Sequence, residues 1–204
     1  MLQTFSFRKS RATLLVALFG ALIIPPSDAG GQQTTGPLRH AYTEYHNERY
    51  SFSFEYPRDW NTNEALDGGA VTIAPAGAPH RSKISVSGEV VQADETGRAR
   101  TMEEDFESHL ASIKKARPHA SYRISNVVLQ KKEATTFRGF RAIASTVTYD
   151  IDDQSWINEG IMFHTQDDHY TFSIQIQCHA DEIPIFQAAY DEILETFRRL
   201  GPPK

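Results

Sequence analysis

The chain carries, at residues 50–60, the run Tyr50-Ser51-Phe52-Ser53-Phe54-Glu55-Tyr56-Pro57-Arg58-Asp59-Trp60. Aromatic and polar side chains alternate along its first half, and a period of two is typical of a strand buried on one face. Phe52, Phe54 and Tyr56 are therefore predicted to face a core, whereas Ser53 is predicted to face solvent. Pro57 is predicted to end the strand, because a proline nitrogen has no hydrogen to donate to a ladder. Trp60 is predicted to pack in the core, as large aromatic side chains usually do.

The rest of the domain is predicted to contain further strands and two helices. Strand patterns recur at residues 71–74, 82–91, 122–130, 139–149, 156–165 and 169–178. Apolar spacing changes to a helical period after the capping-box sequence Thr101-Met102-Glu103-Glu104, and this helix is predicted to end at about residue 116. A second helix is predicted from a cap at Asp181 to Gly201. Since strands and helices do not alternate, the sequence predicts an α+β fold with a mainly antiparallel sheet.

The first 29 residues have the pattern of a secretory signal peptide, with basic residues before an apolar run from Ala12 to Ile24 and a small residue, Ala29, at the predicted cleavage site. The run is shorter than the roughly 20 residues that a spanning helix needs, so no transmembrane span is predicted for the mature chain. Residues 30–44 are predicted to form a flexible leader, and residues 45–201 a single domain. The protein is therefore predicted to be exported, and to be periplasmic or secreted.

Composition restricts the class of partner. The chain has 204 residues, of which 40% are hydrophobic, and 26 acidic side chains outnumber 21 basic ones. Affinity for nucleic acid comes largely from Lys and Arg, so a nucleic-acid partner is not predicted.

Cys178 is the only cysteine of the sequence, and no disulfide can form within the chain. Its position in an alternating apolar segment predicts a buried, unreactive thiol.

The run at 50–60 resembles the opening strand of the PsbP-like family, which includes the extrinsic luminal PsbP subunit of photosystem II and, more distantly, the Ran-binding Mog proteins. The segment Tyr190-Asp-Glu-Ile193-Leu194-Glu-Thr-Phe197 is similar to the last helix of that family, which typically ends in an apolar pair and a phenylalanine. The resemblance implies an α-β-α sandwich, with a central antiparallel sheet of about six or seven strands and helices on both faces. It also implies a non-catalytic accessory or binding role. A location in the thylakoid lumen would follow only for a photosynthetic source.

The sequence contains no common catalytic or dinucleotide-binding motif, and no cofactor is predicted. The leading interpretation is therefore an exported, non-enzymatic protein that docks to an unknown protein or to an assembly in the cell envelope.

The alternative interpretation is a metal- or ligand-binding protein, with hydrolysis as an activity that such a site would allow. His164 and His169 flank the turn of a predicted hairpin, and they would lie opposite one another if Thr165 paired with Asp168. Asp167 and Asp168 would then add carboxylate ligands beside two imidazoles. An ordinary solvated turn explains the same residues.

A second acidic turn contains Asp150, Asp152 and Asp153. Carboxylates suit a hard cation such as calcium, although the spacing of an EF-hand loop is missing. A solvated hairpin tip accounts for this cluster as well.

Overall fold

The structure is a computed structural model that describes residues 41–78, 81–115, 122–165 and 169–201. The predicted signal peptide, residues 1–29, lies outside the described residues. Within the described part, ten strands and two helices follow one another along the chain. They are β1 (Tyr42–Asn47), β2 (Phe52–Pro57), β3 (Trp60–Glu64), β4 (Ala70–Pro75), β5 (Lys83–Val90), α1 (Met102–Lys114), β6 (Ile124–Phe137), β7 (Phe140–Ile151), β8 (Gln154–His164), β9 (Tyr170–His179), α2 (Ile183–Thr196) and β10 (Arg198–Arg199).

Seven of the strands form one antiparallel sheet in the order β3-β4-β5-β9-β8-β7-β6. A smaller sheet has the order β1-β2-β10. The predicted α+β class with a central antiparallel sheet is thereby confirmed. The run at 50–60 supplies both sheets, because β2 ends at Pro57 and β3 begins at Trp60.

The two faces of the large sheet pack against different elements. Consecutive residues of a strand point to opposite faces, and on β7 the neighbours Ala142 and Ile143 belong to separate buried clusters. The first cluster contains residues of the small sheet and of α2, including Phe52 and Ile193. The second contains Met102, Phe106 and Leu110 of α1, packed against β7 and β8. The helices therefore lie on opposite faces of the sheet, as a sandwich requires.

Strand β2 differs from the one-sided strand that its alternation predicts. Phe52 and Phe54 are buried as expected, and Tyr56 is half-buried. Ser53 is 0% exposed as well, so the prediction that it faces solvent is wrong. Because β2 is the middle strand of the small sheet, His46 of β1 and Arg198 of β10 flank Ser53 in the register.

The helix ends combine one confirmed prediction and two corrections, the first being that α2 ends at Thr196 and not at the predicted Gly201, because the chain becomes extended at Phe197 and β10 follows. The capping box of α1 is present, because Thr101 Oγ1 accepts from the Glu104 backbone N–H at 3.2 Å and the Glu104 carboxylate accepts from the Thr101 N–H at 2.8 Å. Helix α2 is capped by Glu182, not by the predicted Asp181, and it has no side-chain cap bond. The Glu182 carboxylate instead accepts from the Ser82 hydroxyl at 2.5 Å, which joins the start of α2 to the segment before β5.

Strands β1, β3 and β10 were not predicted. β1 and β3 are mostly polar, and β10 has only two residues, so none shows the apolar alternation of a half-buried strand. Each is held by hydrogen bonds to a neighbour, β2 or β4. β1 also begins at Tyr42, ahead of the predicted domain start at residue 45. No helix in the described ranges is long and apolar enough to cross a membrane.

Candidate binding cleft

The sheet face that carries α1 changes character from one edge to the other. Under α1, the side chains of β7 and β8 are apolar and buried. On the neighbouring strands β9 and β5 the same face is polar, with Lys83 opposite Gln177 and Ser85 opposite Gln175. A cleft of about 290 Å³ lies where these two parts meet. The described residues that line it are Arg81, Lys83, His109, Ser112, Ile113, Tyr122, Ile124, Tyr149, Ile151, Asn158, Gln175 and Gln177.

The floor of the cleft is a chain of hydrogen-bonding side chains from β8, β9 and α1. Asn158 Nδ2 donates to Gln175 Oε1 at 3.2 Å, and Gln175 Nε2 lies 3.4 Å from His109 Nε2. Gly160 lets the Gln175 side chain lie across β8, since a Cβ at residue 160 would be 2.6 Å from Gln175 Cγ and 2.8 Å from the Ile174 carbonyl oxygen. The strand geometry therefore holds the amide of Gln175 in place.

His109 takes part in this chain as a neutral group. Burial lowers its pKa from the ordinary histidine value of 6.5, because removal from water penalises the charged imidazolium. At neutral pH its Nε2 can therefore accept the hydrogen bond that the Gln175 amide donates.

Both charged residues in the lining are cationic. The Arg81 guanidinium lies 4.2 Å from the centroid of the Tyr122 ring, and its Nη1 is 3.6 Å from Asp152 Oδ2. Lys83 projects from the start of β5. Among the described residues that line the cleft, none is a carboxylate. The described side chains that line the cleft thus carry two positive charges, one of which faces Asp152, although the chain as a whole has a formal charge of −5.

Apolar side chains form another part of the lining. Ile113 of α1, Ile124 of β6 and Ile151 of β7 line the cleft beside Tyr149 and belong to the apolar cluster under α1. Tyr149 is 4% exposed, and burial raises its pKa well above the ordinary tyrosine value, so its phenol stays protonated. The cleft therefore combines cations, amides and an apolar wall within one small volume.

The structure separates the histidines of the alternative site. β8 and β9 pair His164 with Thr171, and the Thr165 N–H donates to the Tyr170 carbonyl at 2.9 Å. The prediction that His164 and His169 lie opposite one another is therefore wrong. His164 is 2% exposed, whereas His169 is exposed. Asp167 and Asp168 lie outside the described residues, and the proposed metal role of this turn stays a prediction.

His164 joins the sheet to α1. Its Nε2 lies 3.1 Å from Asp105 Oδ2, and the Thr171 hydroxyl donates to the same carboxylate oxygen at 2.9 Å. Nearby Glu89 has a raised pKa, first because of burial and second because of the Asp105 charge. This polar contact anchors the N-terminal half of α1.

The second predicted site, the turn with Asp150, Asp152 and Asp153, has each carboxylate engaged by β6 or the residue before it. Arg123 donates to Asp152 through its backbone N–H at 2.9 Å and to Asp153 through its guanidinium at 2.8 Å. Asn126 donates to Asp150 at 2.6 Å. In the described ranges, no three His, Cys, Asp or Glu side chains come together as a metal would need.

The cleft was not predicted from the sequence. A sequence pattern that points to it is in β9, where Gln175 and Gln177 alternate with Ile174 and Ile176, which predicts a polar face opposite the core. Only the fold brings His109 and Lys83 to that face.

The prediction for Cys178 is confirmed, because the thiol is 0% exposed and burial raises its pKa to about 12.

Comparisons with known proteins identify the fold. No family model matches the chain, and no curated protein sequence matches it. Among solved structures, CyanoP, the cyanobacterial PsbP of Synechocystis, matches with a TM-score of 0.54 at 12% identity, over 83% of this chain and 98% of CyanoP. LpqN, involved in cell envelope biogenesis of Mycobacterium tuberculosis, matches with a TM-score of 0.51 at 13% identity, over 77% of this chain and 89% of LpqN.

The Ran-binding protein Mog1p of Saccharomyces cerevisiae matches with a lower TM-score of 0.47 at 8% identity, over 79% of this chain and 96% of Mog1p. The domain has the fold of PsbP, as the resemblance of residues 50–60 and 190–197 implies. At these identities the likeness concerns the fold alone.

Proposed function

We propose that this protein is an exported, non-enzymatic accessory protein that docks to a partner protein or to an assembly in the cell envelope. The observation that carries this proposal is the cleft beside α1. It offers convergent polar groups next to an apolar wall, which is the usual composition of a recognition site.

The floor of the cleft is prepared for binding before a partner arrives. Gln175 is held between Asn158 and His109 and rests over Gly160, so it loses little conformational freedom when it bonds a partner. A rigid floor lowers the entropy cost of association, and more of the contact energy remains as affinity.

The fold neighbours support an accessory role in an extracytoplasmic location. CyanoP is a PsbP protein, and LpqN is described as involved in cell envelope biogenesis. The basic and apolar pattern of residues 1–29 supports export, with the residues from Gly30 to the start of β1 at Tyr42 as a leader to the domain. Sequencing the N-terminus of the exported protein tests this part, and we expect the mature chain to begin at Gly30.

The docking role is tested by filling the cleft. Ser112 of α1 lines the cleft, whereas its neighbour Ala111 is exposed and does not. The mature protein, Ser112→Phe and Ala111→Phe would each be immobilised and exposed to an envelope extract of the source organism. We expect wild type and Ala111→Phe to retain the same partner and Ser112→Phe to lose it.

Thermal unfolding of both variants provides the control for folding. Retention of the partner by a folded Ser112→Phe variant would contradict docking at the cleft. Failure of wild type to retain any protein above the Ser112→Phe background would contradict the docking role itself.

A further inference from the structure

We propose that the cleft binds the C-terminal carboxylate of a partner polypeptide whose last residue is apolar. This inference rests on the proposed docking function and names the chemistry of the partner. It combines three features of the cleft: its cations, its amide floor and its apolar wall.

The cations select an anionic group. Arg81 and Lys83 line the cleft, and no described lining residue is acidic. An ammonium has three N–H donors and a guanidinium has five, so both groups can bind a ligand carboxylate while they keep their contacts within the protein. Arg81 contacts Asp152 through Nη1 at 3.6 Å, and a guanidinium has five N–H donors in all.

The amide floor favours a peptide over a simple acid. Asn158, Gln175 and Gln177 each offer a carbonyl acceptor and an NH₂ donor, which match the N–H and C=O of a peptide backbone. A fatty acid has no N–H to donate to the Asn158 and Gln177 carbonyls or to the second lone pair of Gln175 Oε1. The floor also continues past the cleft along the polar face, where Ser87 pairs with Ser173, so the chain before the terminal residue has a polar surface to follow.

The apolar wall sets the nature and size of the last side chain. Ile113, Ile124 and Ile151 line the cleft. A volume of about 290 Å³ is at the lower end of the range for ligand pockets, roughly 300–1,000 Å³. It suits one aliphatic residue such as leucine or valine better than a long ligand.

The test uses fluorescein-labelled tetrapeptides, Gly-Ser-Ala-Leu with a free C-terminus and the same peptide as its C-terminal amide, and measures fluorescence anisotropy with the mature protein. We expect the free acid to bind at least tenfold more tightly than the amide. We also expect the peptide that ends in lysine to bind more weakly than the one that ends in leucine, because the mouth is already cationic.

Lys83→Gln and Arg81→Gln should weaken binding of the free acid and remove its advantage over the amide. Lys131→Gln is the matched control, since Lys131 is an exposed lysine of β6 outside the cleft. Equal affinity for acid and amide, absence of saturable peptide binding, or no effect of Lys83→Gln would overturn the proposal.

A third arm separates a polypeptide from a free small acid. N-acetyl-leucine carries the same carboxylate and side chain without the preceding residues, and we expect it to bind at least tenfold more weakly than the tetrapeptide. Equal affinity would overturn the assignment to a polypeptide. If the peptides do not bind while Ser112→Phe still loses its envelope partner, this inference fails and the docking function stands.

Discussion

The two faces of the seven-stranded sheet are covered in different ways. On one face, α2 and the small sheet enclose a continuous aromatic cluster, in which the Phe172 ring lies 5.9 Å from Phe52 and 5.4 Å from Phe163. On the other face, α1 packs on apolar side chains of β6, β7 and β8, and a polar cleft remains beside it. Both faces therefore carry a buried apolar cluster, but only the second leaves a polar cleft beside its helix.

Both helices combine an apolar stripe with polar contacts, and the place of those contacts differs. α2 has buried apolar residues such as Phe186 and Ile193, and Glu182, just before its first residue, bonds Ser82. In α1 the Asp105 carboxylate, within the first turn, bonds His164 and Thr171 of the sheet. Substitutions of aromatic and of polar contacts should consequently differ in the size of their effect on stability.

The largest effect is expected for Phe52→Ala on the aromatic face. Phe52 is 0% exposed and stacks at 5.6 Å on Phe197, so removal of the ring should lower the free energy of unfolding by about 3–5 kcal/mol. Ser53→Ala is the matched control. Ser53 is equally buried, and its Oγ has no hydrogen-bond partner within the described residues, so its loss should change stability by less than about 0.5 kcal/mol.

Urea unfolding of the two variants is the measurement. Similar losses for Phe52→Ala and Ser53→Ala would show that β2 contributes through its backbone pairing and not through one aromatic face.

A smaller effect is expected for Asp105→Ala on the other face. The substitution leaves His164 Nε2 and the Thr171 hydroxyl without the carboxylate that they contact, at a cost of about 1–3 kcal/mol. Glu107→Ala removes an exposed carboxylate of the same helix that pairs with Lys132, and should cost at most about 1 kcal/mol. Amide hydrogen exchange should speed up in α1 for Asp105→Ala, and unchanged exchange there would argue against an anchoring role.

The cap of α1 should contribute less again. Thr101→Ala removes the acceptor for the Glu104 N–H and should cost about 1 kcal/mol of stability. Ser108→Ala, at an exposed interior position of the same helix, is expected to be neutral or slightly stabilising, since alanine has the higher helix propensity. Chemical denaturation compares the two, and a Thr101→Ala loss no greater than that of Ser108→Ala would contradict the capping box.

The smallest effect concerns the pH dependence of stability through His109. Its folded-state pKa is below 6.5, so the unfolded chain binds more protons in the window below 6.5, and stability falls as the pH is lowered through that window. The raised pKa of Glu89 acts in the opposite direction, because the folded state holds the proton more tightly above the ordinary value of 4.5.

His109→Gln removes only the histidine contribution. We expect the unfolding midpoint of the variant to decrease less than that of wild type between pH 7 and pH 5. Parallel curves for the two proteins would show that His109 titrates as it does in the unfolded chain.

Much of the fold could be predicted because its signals are local. The buried aromatic positions Phe52 and Phe54, the capping box at Thr101 and the apolar stripe of α2 each depend on residues close together in the sequence, and the structure confirms them. The burial of His164 could not be predicted, because it depends on a residue that is distant in the sequence. His164 has the pattern of a polar turn residue, but α1 covers it, and its partner Asp105 is 59 residues away in the chain.

The sequence by itself therefore determined the α+β class, both helices and the strands with an apolar face. Only the tertiary structure decided that the polar strands β1, β3 and β10 form, because their hydrogen-bond partners come from other segments. It alone decided the cleft too, since His109 and Gln175 are 66 residues apart and meet only when α1 lies on β8 and its neighbours. Periodicity reports which face of an element is buried, and it carries no information on which distant polar groups share the other face.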